Sequence, residues 1–337
     1  MKLSLLIARR ILVTIPVLIG VTMLTFAVSH AIPGDPARAF AGPYADQATV
    51  AAIRREWGLD RPLVDQYWTY LTQLVRGNLG TSVETHDSVL HDILVRLPAT
   101  LELAFFALFL MCVIGIALGI AASVWRDRFP DFLARTVAVA GAAVPSFWLG
   151  LMLQLLFFSQ LKWLPVSGRL GEFTRPPHHL TGFYLIDSML TGNWSVFADA
   201  LEHLVLPGFT LALLGIAGIT RMTRSSMLEV LEKDYIRAAR ARGITESNVV
   251  LKHALRNAMV PTVTVLGLLF GAMIGGAIII EWVFSWPGIG TYAADAITNL
   301  DYTAVMGVTL TIAVVYLIAN LLVDISYMVL NPTIREA

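Results

Sequence analysis

Six long apolar runs dominate the pattern of hydrophobic and polar residues along the chain. They are residues 11–29, 103–124, 136–161, 204–220, 258–280 and 304–323. A helix needs roughly 20 mostly apolar residues to cross the hydrocarbon core of a bilayer. The pattern therefore predicts an all-α polytopic membrane protein with six transmembrane helices and with both termini on the same side of the lipid bilayer.

The first run has a second interpretation, as the core of a secretory signal, because Lys2, Arg9 and Arg10 precede it. The uncharged stretch has 19 residues, whereas the apolar core of a signal peptide has about 7 to 15. We therefore expect this run to be retained as the first transmembrane helix.

Positive charge predicts the orientation, since Lys and Arg collect in the cytoplasmic loops of membrane proteins. Fifteen of the 24 Lys and Arg residues lie in the two termini, in the loop after the second run and in the loop after the fourth. The loop after the fourth run contains residues 223–261, called the basic loop below. We expect the termini and the basic loop to be cytoplasmic, and the segments 30–98 and 162–203 to form ordered caps on the outer face. Residues 46–77 have helical character, interrupted at Gly58 and Pro62.

Composition supports the membrane assignment and argues against several other classes. Hydrophobic residues make up 56% of the chain and charged residues 14%, compared with about 25% charged residues in soluble domains. The formal net charge is zero, which gives no indication of a nucleic-acid partner. The single cysteine, Cys112, cannot form an intramolecular disulfide and reads as a small core residue. Adjacent His178 and His179 point apart in an extended segment, so we expect no metal site there.

No sequence motif for chemistry on ATP or on a scissile bond is present. The chain has no Walker-type glycine loop, no serine nucleophile elbow and no histidine–glutamate zinc helix. We expect no catalytic residue and no cofactor in this chain.

The basic loop predicts two short helices that meet at a glycine. Residues 234–242 are good helix formers, and Ala238, Ala239 and Ala241 would give them a small, smooth surface. Arg240 and Arg242 fall in the last turn, where they complement the helix dipole. Gly243 suits a left-handed C-terminal cap, and Thr245 suits the N-cap of the next helix, with Glu246 in its first turn. Such a shape could enter a groove on a partner, although the residues alone also fit a solvated basic loop.

The same loop resembles the coupling loop of ABC importer permeases, whose pattern is Glu-Ala-Ala, three residues, Gly, nine residues, then Ile-x-Leu-Pro. The corresponding residues here are Arg237, Ala238, Ala239, Gly243, His253, Leu255 and Arg256. Arg, His and Arg at the places of Glu, Ile and Pro are typical of the dipeptide, oligopeptide and nickel branch, with its "Tyr-Ile-Arg-x-Ala-Arg-Ala-x-Gly" and "His-Ala-Leu-Arg-Asn-Ala" stretches. The resemblance implies that the loop docks into a cleft on an ATPase subunit. The implied coupling residues are Tyr235, Arg237, Ala238, Ala239, Arg240, Gly243, His253 and Asn257.

Further motifs extend this resemblance along nearly the whole chain. They include Pro-Gly-Asp-Pro at 33–36, Gly-Leu-Asp-x-Pro at 58–62, Pro-Ala-Thr-Leu-Glu-Leu at 98–103, Pro-Ser-Phe-Trp at 145–148, Phe-Ser-Trp-Pro-Gly-Ile-Gly at 284–290 and Asn-Pro at 331–332. The chain is similar to the first permease subunit of dipeptide transporters. This implies an external region at 1–96 that includes the first span, and a permease domain at 97–332 of the type I importer fold.

The resemblance also implies partners and a location. The partners would be a second, homologous permease, two cytoplasmic ATPases that bind ATP and magnesium, and a periplasmic substrate-binding protein. The location would be the bacterial inner membrane. Dipeptides or short peptides are the expected substrates, while nickel, glutathione and haem stay open as alternatives.

Several residues inside the apolar runs point to packing or to a path for substrate. Pro145 removes a backbone hydrogen bond in mid-span, and irregular backbone at membrane depth is tolerated where it lines a cavity. With Phe147 and Gln154 it is the candidate for the translocation path, against a simple packing kink. The four-residue spacing of Gly267, Gly271 and Gly275 predicts a close-packing helix face. Gly115 and Gly119 repeat that spacing once and are a weaker signal.

Buried charge is costly in a membrane, so the acidic residues near the span ends need partners. We expect Glu102 and Glu281 to reach water or a hydrogen-bond partner, and Asp324 to be a polar anchor. The rival function is an ion-coupled secondary transporter that uses Asp324 or Glu281. A third possibility, an intramembrane hydrolase, needs paired catalytic groups at one depth, and no such pair is evident.

Overall fold

The computed structural model describes residues 3–31, 35–42 and 44–330. Within these ranges the regular structure is helical, apart from one isolated antiparallel bridge between Thr81 and Ser88. Parts of the 33–36 motif and all of 331–332 lie outside the described residues. So does the side chain of Asp324, whose backbone belongs to the last helix.

Fourteen α-helices follow one another along the described ranges. They are α1 (Leu3–Ala31), α2 (Pro36–Ala41), α3 (Gln47–Glu56), α4 (Leu63–Val75), α5 (Val89–Val124), α6 (Phe129–Ala143), α7 (Ser146–Gln154), α8 (Tyr184–Leu190), α9 (Trp194–Leu231), α10 (Asp234–Ala241), α11 (Glu246–Asn248), α12 (Leu255–Val283), α13 (Ile289–Thr298) and α14 (Tyr302–Leu330). Two π-helical turns, Leu155–Gln160 and Val249–Ala254, continue α7 and precede α12.

Five described helices are long and apolar enough to cross a bilayer, and a bent pair makes a sixth candidate. The number and order of the predicted spans are thus confirmed. Two helices are much longer than their apolar runs: α5 has 36 residues and α9 has 38. The fourth span is therefore not short as its apolar run suggested, because helix continues through polar turns at both ends.

The third run is the bent pair. Helix α6 ends at Ala143, Pro145 is the N-cap of α7, and the two axes differ by 103°. Proline lacks the N–H that an uninterrupted helix would need at this point, and it pushes the preceding residue, Val144, into an extended conformation. The sequence predicted one lost hydrogen bond, whereas the structure has a full change of direction.

The centre of the bundle is the packing of α5 against α9. Gly115 and Gly119 face Ile219 and Thr223 so closely that an added Cβ would lie 2.8 and 2.5 Å from their side chains. Small residues let helix backbones approach in this way. Both glycines of the pair that was the weaker sequence signal therefore lie in close helix contacts.

The predicted glycine face of α12 is correct only in part. Gly271 lies directly against the ring of Tyr316 on α14, but a Cβ at Gly275 would meet nothing within 4 Å. Four-residue spacing alone did not reveal which glycines face a neighbouring helix.

The two ends of the bundle can be distinguished by their contacts. Residues of α5, α9, α10 and α12 form an apolar cluster around the basic loop. The first turns of α5 and α14 form another cluster at the opposite end, with α13. Ser29 near the end of α1 contacts Met306 near the start of α14. Helix α1 thus begins, and α14 ends, on the basic-loop side of the bundle.

Candidate functional site at the basic loop

Helix α10 is held to the bundle by one apolar face. Ile236 and Ala239 are buried with Met227 of α9 and with Val249 and Ala254 of the following π-helical turn. The opposite face, which carries Tyr235, Arg237, Ala238, Arg240 and Ala241, is exposed. The expectation of one smooth surface from the three alanines is wrong, because Ala239 points into the cluster while the other two point outward.

The turn at Gly243 is the left-handed cap that the sequence predicted. Gly243 has φ of 73°, its N–H donates to the Arg240 carbonyl at 2.9 Å, and the Ile244 N–H donates to the Ala239 carbonyl at 3.3 Å. These two bonds are a Schellman motif. A Cβ at Gly243 would meet nothing within 4 Å, so glycine is required here for its backbone conformation and not for space.

Arg240 and Glu246 join the two helices across this turn. Arg240 Nε and Nη2 donate to the Glu246 carboxylate at 3.1 and 2.8 Å. The hydrogen bond to Glu246 raises the pKa of Arg240, so the guanidinium stays charged. Arg240 therefore has a specific partner, beyond the helix dipole that the sequence offered. Thr245 occupies the N-cap position, but it makes no capping bond; its hydroxyl accepts from Asn248 Nδ2 at 3.0 Å.

A second link joins α10 to the start of α12. Asn257 Nδ2 donates to the Tyr235 hydroxyl at 2.8 Å, and the same amide lies 3.3 Å from the His253 carbonyl. The structure thus brings Tyr235 and the His253 carbonyl to the amide of Asn257. Tyr235 and Asn257 are 22 positions apart in sequence. Arg237 is exposed and pairs weakly with Asp234 at 3.5 Å.

A buried ion pair connects the last turns of α9 to α6. Arg224 donates to both oxygens of Asp131 at 2.8 Å, and Arg135 lies 3.3 Å from the same carboxylate. The Asp127 N–H also donates to Asp131, whose side chain is fully buried. From the sequence, these arginines were interpreted only as part of the positive charge of the loops. Asp131 is close in sequence to Arg126, Arg128 and Arg135, which could have suggested an ion pair.

The candidate path residues occupy different environments. Pro145 and Phe147 are exposed on the bent third span, and 47% of the Phe147 surface is accessible. Gln154 instead donates to the Val166 and Val283 carbonyls at 2.9 and 3.1 Å. Its amide thus fastens the 162–203 segment and the end of α12 to α7.

Buried carboxylates hold the end of the bundle opposite the basic loop. Glu281 accepts from the Thr100 hydroxyl at 2.6 Å and from the Gly290 N–H at 2.7 Å. Glu102 accepts from Arg169 at 2.5 Å and from the Leu185 N–H at 2.8 Å. Both glutamates therefore have the predicted hydrogen-bond partners, and both side chains are buried.

Two aspartates fix loops at this end in a similar way. Asp301 accepts from the Ser82 hydroxyl and the Val83 N–H at 2.6 Å, and from the Ala304 N–H at 3.0 Å. Asp187 accepts from Thr181 and from the N–H groups of Leu180 and Gly182. The roles of these two aspartates were not predicted from the sequence. The local signal for Asp301 was its place just before an apolar run, which suits the N-cap of a helix.

Comparisons with known proteins agree with this architecture. The family described as the binding-protein-dependent transport system inner membrane component matches residues 115–336. The N-terminal family of the same transport-system membrane components matches residues 3–104. The boundary between the two matches falls within α5: the first part of this helix belongs to the N-terminal match and the last part to the other.

Curated relatives are similar to the chain over nearly its full length. The probable D,D-dipeptide transport system permease protein DdpB of Escherichia coli (strain K12) is 48% identical, over 94% of each chain. The di/tripeptide transport system permease protein DppB of Pseudomonas aeruginosa (strain UCBPP-PA14) is 44% identical, over 98% of each. The glutathione transport system permease protein GsiC of Salmonella typhimurium is 40% identical, also over 98% of each.

A solved structure shows the same fold. The MetNI methionine ABC transporter, in inward facing conformations, matches with a TM-score of 0.54 and 16% identity. The match covers 71% of this chain and 96% of that chain. The match thus includes almost the whole methionine transporter chain, whereas more than a quarter of the present chain has no counterpart there.

Proposed function

The chain belongs to the family of binding-protein-dependent transport system inner membrane components, and on that premise we propose that it is the permease subunit of an ATP-driven importer of dipeptides and short peptides. The observation that carries the proposal is the basic loop, whose Schellman turn at Gly243 presents an exposed helix on an apolar base. Substrate crosses the membrane through spans of this subunit and of a homologous partner, without covalent chemistry in this chain.

Dipeptides are the substrate class that the relatives support. The two relatives with the higher identities have names that specify D,D-dipeptides and di/tripeptides. Glutathione, itself a tripeptide, is the second candidate, because the glutathione permease is 40% identical over nearly the full length. The wider branch also includes importers of nickel and haem, but the relatives described above have names that specify peptides or glutathione.

The proposed assembly contains a second homologous permease, two cytoplasmic ATPases that bind ATP and magnesium, and a periplasmic substrate-binding protein. The subunit lies in the inner membrane with its termini and basic loop in the cytoplasm. The start of α1, the end of α14 and the basic loop all lie on one side of the bundle, and this common location supports the topology. The excess of Lys and Arg on that side supports its cytoplasmic orientation.

The basic loop would receive force from the ATPases on the exposed face of α10. Three contacts would pass a displacement to different spans. Ile236 is buried against α9, the Tyr235–Asn257 bond reaches α12, and the Arg224–Asp131 pair leads from α9 to α6. In the bent third span, Pro145 and Phe147 stay our candidates for the translocation path, and Gln154 would position that span.

Replacing Gly243 with valine tests this coupling. A β-branched residue in the left-handed conformation costs roughly 1–2 kcal/mol, so the turn should shift and α10 should lose its position. We expect ATPase stimulation by the loaded binding protein to fall about tenfold, with normal assembly of the complex. The readout is ATP hydrolysis by the purified complex in proteoliposomes, with and without dipeptide-loaded binding protein.

Gly192 provides the matched control. It has φ of 69° and open space around its Cβ position, as Gly243 does, but it lies at the opposite end of the bundle. Gly192→Val should therefore introduce similar strain without loss of stimulation. Normal stimulation in a correctly assembled Gly243→Val complex would refute the coupling role.

Substrate choice needs a separate measurement. The binding protein that works with this permease can be purified and the ligand bound to it identified by mass spectrometry. Uptake into proteoliposomes should then be competed by unlabelled dipeptide more effectively than by glutathione. The reverse order would assign the chain to the glutathione group.

A further inference from the structure

Helix α4 (Leu63–Val75) presents an exposed apolar side to its surroundings. Val64, Trp68 and Val75 have between 69 and 88% of their surface accessible, and Leu71, which lies between them, is partly exposed. At 100° per residue, these four side chains fall within an arc of about 60° on one side of the helix. The four residues are called the α4 stripe below. An exposed apolar patch of this kind points to a protein or a membrane partner.

The opposite side of α4 is polar. Its side chains are exposed, and they are those of Asp65, Thr69, Thr72 and Gln73. This division, with Trp and aliphatic residues on one side and polar residues on the other, is typical of helices that lie in the plane of a membrane interface. Arg61 and Arg76 stand just outside the two ends of the helix, where long basic side chains extend to the lipid headgroups.

The contacts of Tyr67 fix the depth of α4 relative to the first span. The Tyr67 hydroxyl lies 3.0 Å from the Thr22 hydroxyl and donates to the Ile19 carbonyl at 3.4 Å. The span ends at His30. At 1.5 Å per residue, Thr22 and Ile19 therefore lie about 12 and 16.5 Å inside its outer end.

This depth places part of α4 beside the membrane-spanning part of α1. A tyrosine side chain reaches little more than one helical turn, about 5.4 Å, so the backbone at Tyr67 lies further inside than the end of the span. The span has 19 residues, or about 28.5 Å of helix, and the hydrocarbon core is about 30 Å thick. Because the whole span is needed to cross the core, its contacts with Tyr67 lie within the bilayer.

A second contact sets the rotation of α4 about its own axis. Gln66 Oε1 lies 3.1 Å from His30 Nε2, at the outer end of α1, whereas the neighbouring Tyr67 reaches inward. Gln66 thus marks the side of α4 that faces outward, and Tyr67 marks the side that faces the bilayer. In steps of 100° around the helix, the α4 stripe follows Tyr67 on the side away from Gln66. The stripe therefore faces the hydrocarbon, and the polar side faces water.

The surface of α1 is also apolar and accessible at this depth, since Met23, Leu24 and Val28 are exposed. Phe26, in contrast, is buried and packs against the ring of Tyr67, with 5.3 Å between the ring centroids. The α4 stripe thus continues the lipid-facing surface of the first span. A water-soluble partner would have to enter the hydrocarbon to cover it.

We propose that α4 is an interfacial helix that inserts its stripe among the acyl chains of the outer leaflet. The helix anchors the 30–98 segment to the membrane and holds that segment at a fixed height above the spans. The choice of leaflet rests on the proposed topology, whereas insertion itself depends on neither the substrate nor the ATPases.

Spin labels on single cysteines test the insertion. The complex carries Cys112→Ala and one new cysteine, Val64→Cys or Val75→Cys, and is reconstituted in vesicles of phosphatidylethanolamine and phosphatidylglycerol. Power saturation of the nitroxide signal measures collisions with oxygen, which concentrates in hydrocarbon, and with a water-soluble nickel chelate. Thr69→Cys and Gln73→Cys, on the polar side of the same helix, are the matched controls. We expect the oxygen-to-nickel ratio to be about tenfold higher on the stripe than at the controls, because a polar chelate enters hydrocarbon at high cost.

A pair of charged variants tests whether the stripe acts as a unit. Val75→Asp places a carboxylate on the side that faces the hydrocarbon, where charge is costly, so the ratio measured at Val64→Cys should fall towards that of the controls. Gln73→Asp places the same charge on the polar side and should leave the ratio at Val64→Cys unchanged. Equal effects of the two aspartates would contradict the proposed orientation of the helix.

Three other results would overturn the proposal. Equal ratios at all four labelled positions, with nickel reaching each of them, would place α4 in water. Low accessibility of Val75→Cys to both reagents would assign the stripe to another subunit of the complex. A label at Val75→Cys that nickel reaches until the binding protein is added would assign the stripe to that protein. Dipeptide uptake, measured in parallel, can fail without changing these ratios, so failure of the importer function is distinguishable from failure of the insertion.

Discussion

The two ends of the bundle are stabilised by different means. Opposite the basic loop, Asp301, Asp187, Glu102 and Glu281 are buried, and each accepts hydrogen bonds from a loop or from the first turn of a neighbouring helix. At the basic loop, α10 lies on an apolar cluster and is joined to the next helix by the exposed ion pair Arg240–Glu246, while the buried Arg224–Asp131 pair joins α9 to α6.

This difference has a mechanical meaning. Buried carboxylates that accept several N–H bonds fix a loop in one geometry, because leaving any of these groups without a partner is expensive. Exposed ion pairs contribute little to stability and are screened by salt, so they can be exchanged for contacts with a partner. One end is built to keep its shape, and the other is suited to the proposed docking of a partner protein.

The largest effect should come from breaking the rigid end at Asp301. Asp301→Ala leaves the Ser82 hydroxyl and the Val83 and Ala304 N–H groups without their acceptor. We expect a loss of about 3–5 kcal/mol in the free energy of unfolding, measured as a lower thermal midpoint of the purified complex. Asp295→Ala, at an exposed residue of α13, should stay within about 0.5 kcal/mol of wild type. Equal midpoints for the two variants would contradict the contrast between the ends.

A smaller effect at the same end should depend on pH through Asp187. Burial acts to raise the pKa of this carboxyl, but bonds from the Thr181 hydroxyl and from three N–H groups outweigh it and bring the net pKa below its usual range. A lowered pKa gives stability that is complete above the pKa of the unfolded chain, about 3.9, and is lost as pH falls through the lower folded value.

Thermal midpoints measured from pH 6 down to pH 3 can detect this contribution. Asp187→Asn should be less stable than wild type at pH 6 and should lose less stability than wild type below about pH 4. Asp295→Asn serves as the reference for general acid effects. Parallel curves for wild type and Asp187→Asn would show that the carboxylate does not hold this loop.

The smallest change in stability should come from Tyr235→Phe at the basic loop. It deletes only the 2.8 Å bond between α10 and Asn257, which lies at the surface and contributes about 0.5–1 kcal/mol. We nevertheless expect ATPase stimulation by the loaded binding protein to fall severalfold, since one route from α10 to α12 is lost. Tyr44→Phe, at a fully exposed tyrosine, is the matched control. A variant with normal stimulation but reduced stability would show that the bond is structural only.

Much of the fold was predictable from local sequence. Apolar runs gave the spans, and the conformation of Gly243 followed from its place after nine helix-forming residues. The full lengths of α5 and α9 were not predictable, because their polar ends are helical through tertiary contacts and not through hydrophobicity. The 103° bend at Pro145 also exceeds what one missing hydrogen bond predicts.

The partners of charged residues were the hardest feature to predict. Arg169 and Glu102 are 67 positions apart, and only the folded chain shows that the 162–203 segment returns to the start of the second span. Thr245 illustrates the opposite error, since a good N-cap residue in the right place makes no capping bond. Local propensity identified where the basic loop turns, whereas tertiary structure decided which of its side chains have partners.

The π-helical turn Val249–Ala254 makes the basic loop sensitive to chain length. Such a turn closes i→i+5 bonds, so it contains one residue more than an α-helical turn between the same neighbours. A deletion of one residue there would let ordinary i→i+4 bonds form and would leave the neighbouring helices in their present orientation. An insertion has no such compensation, and it would rotate Asn257 away from Tyr235 by about 100°, the angle that one α-helical residue adds. An insertion at this point should therefore disrupt the link between α10 and α12 more than a deletion does.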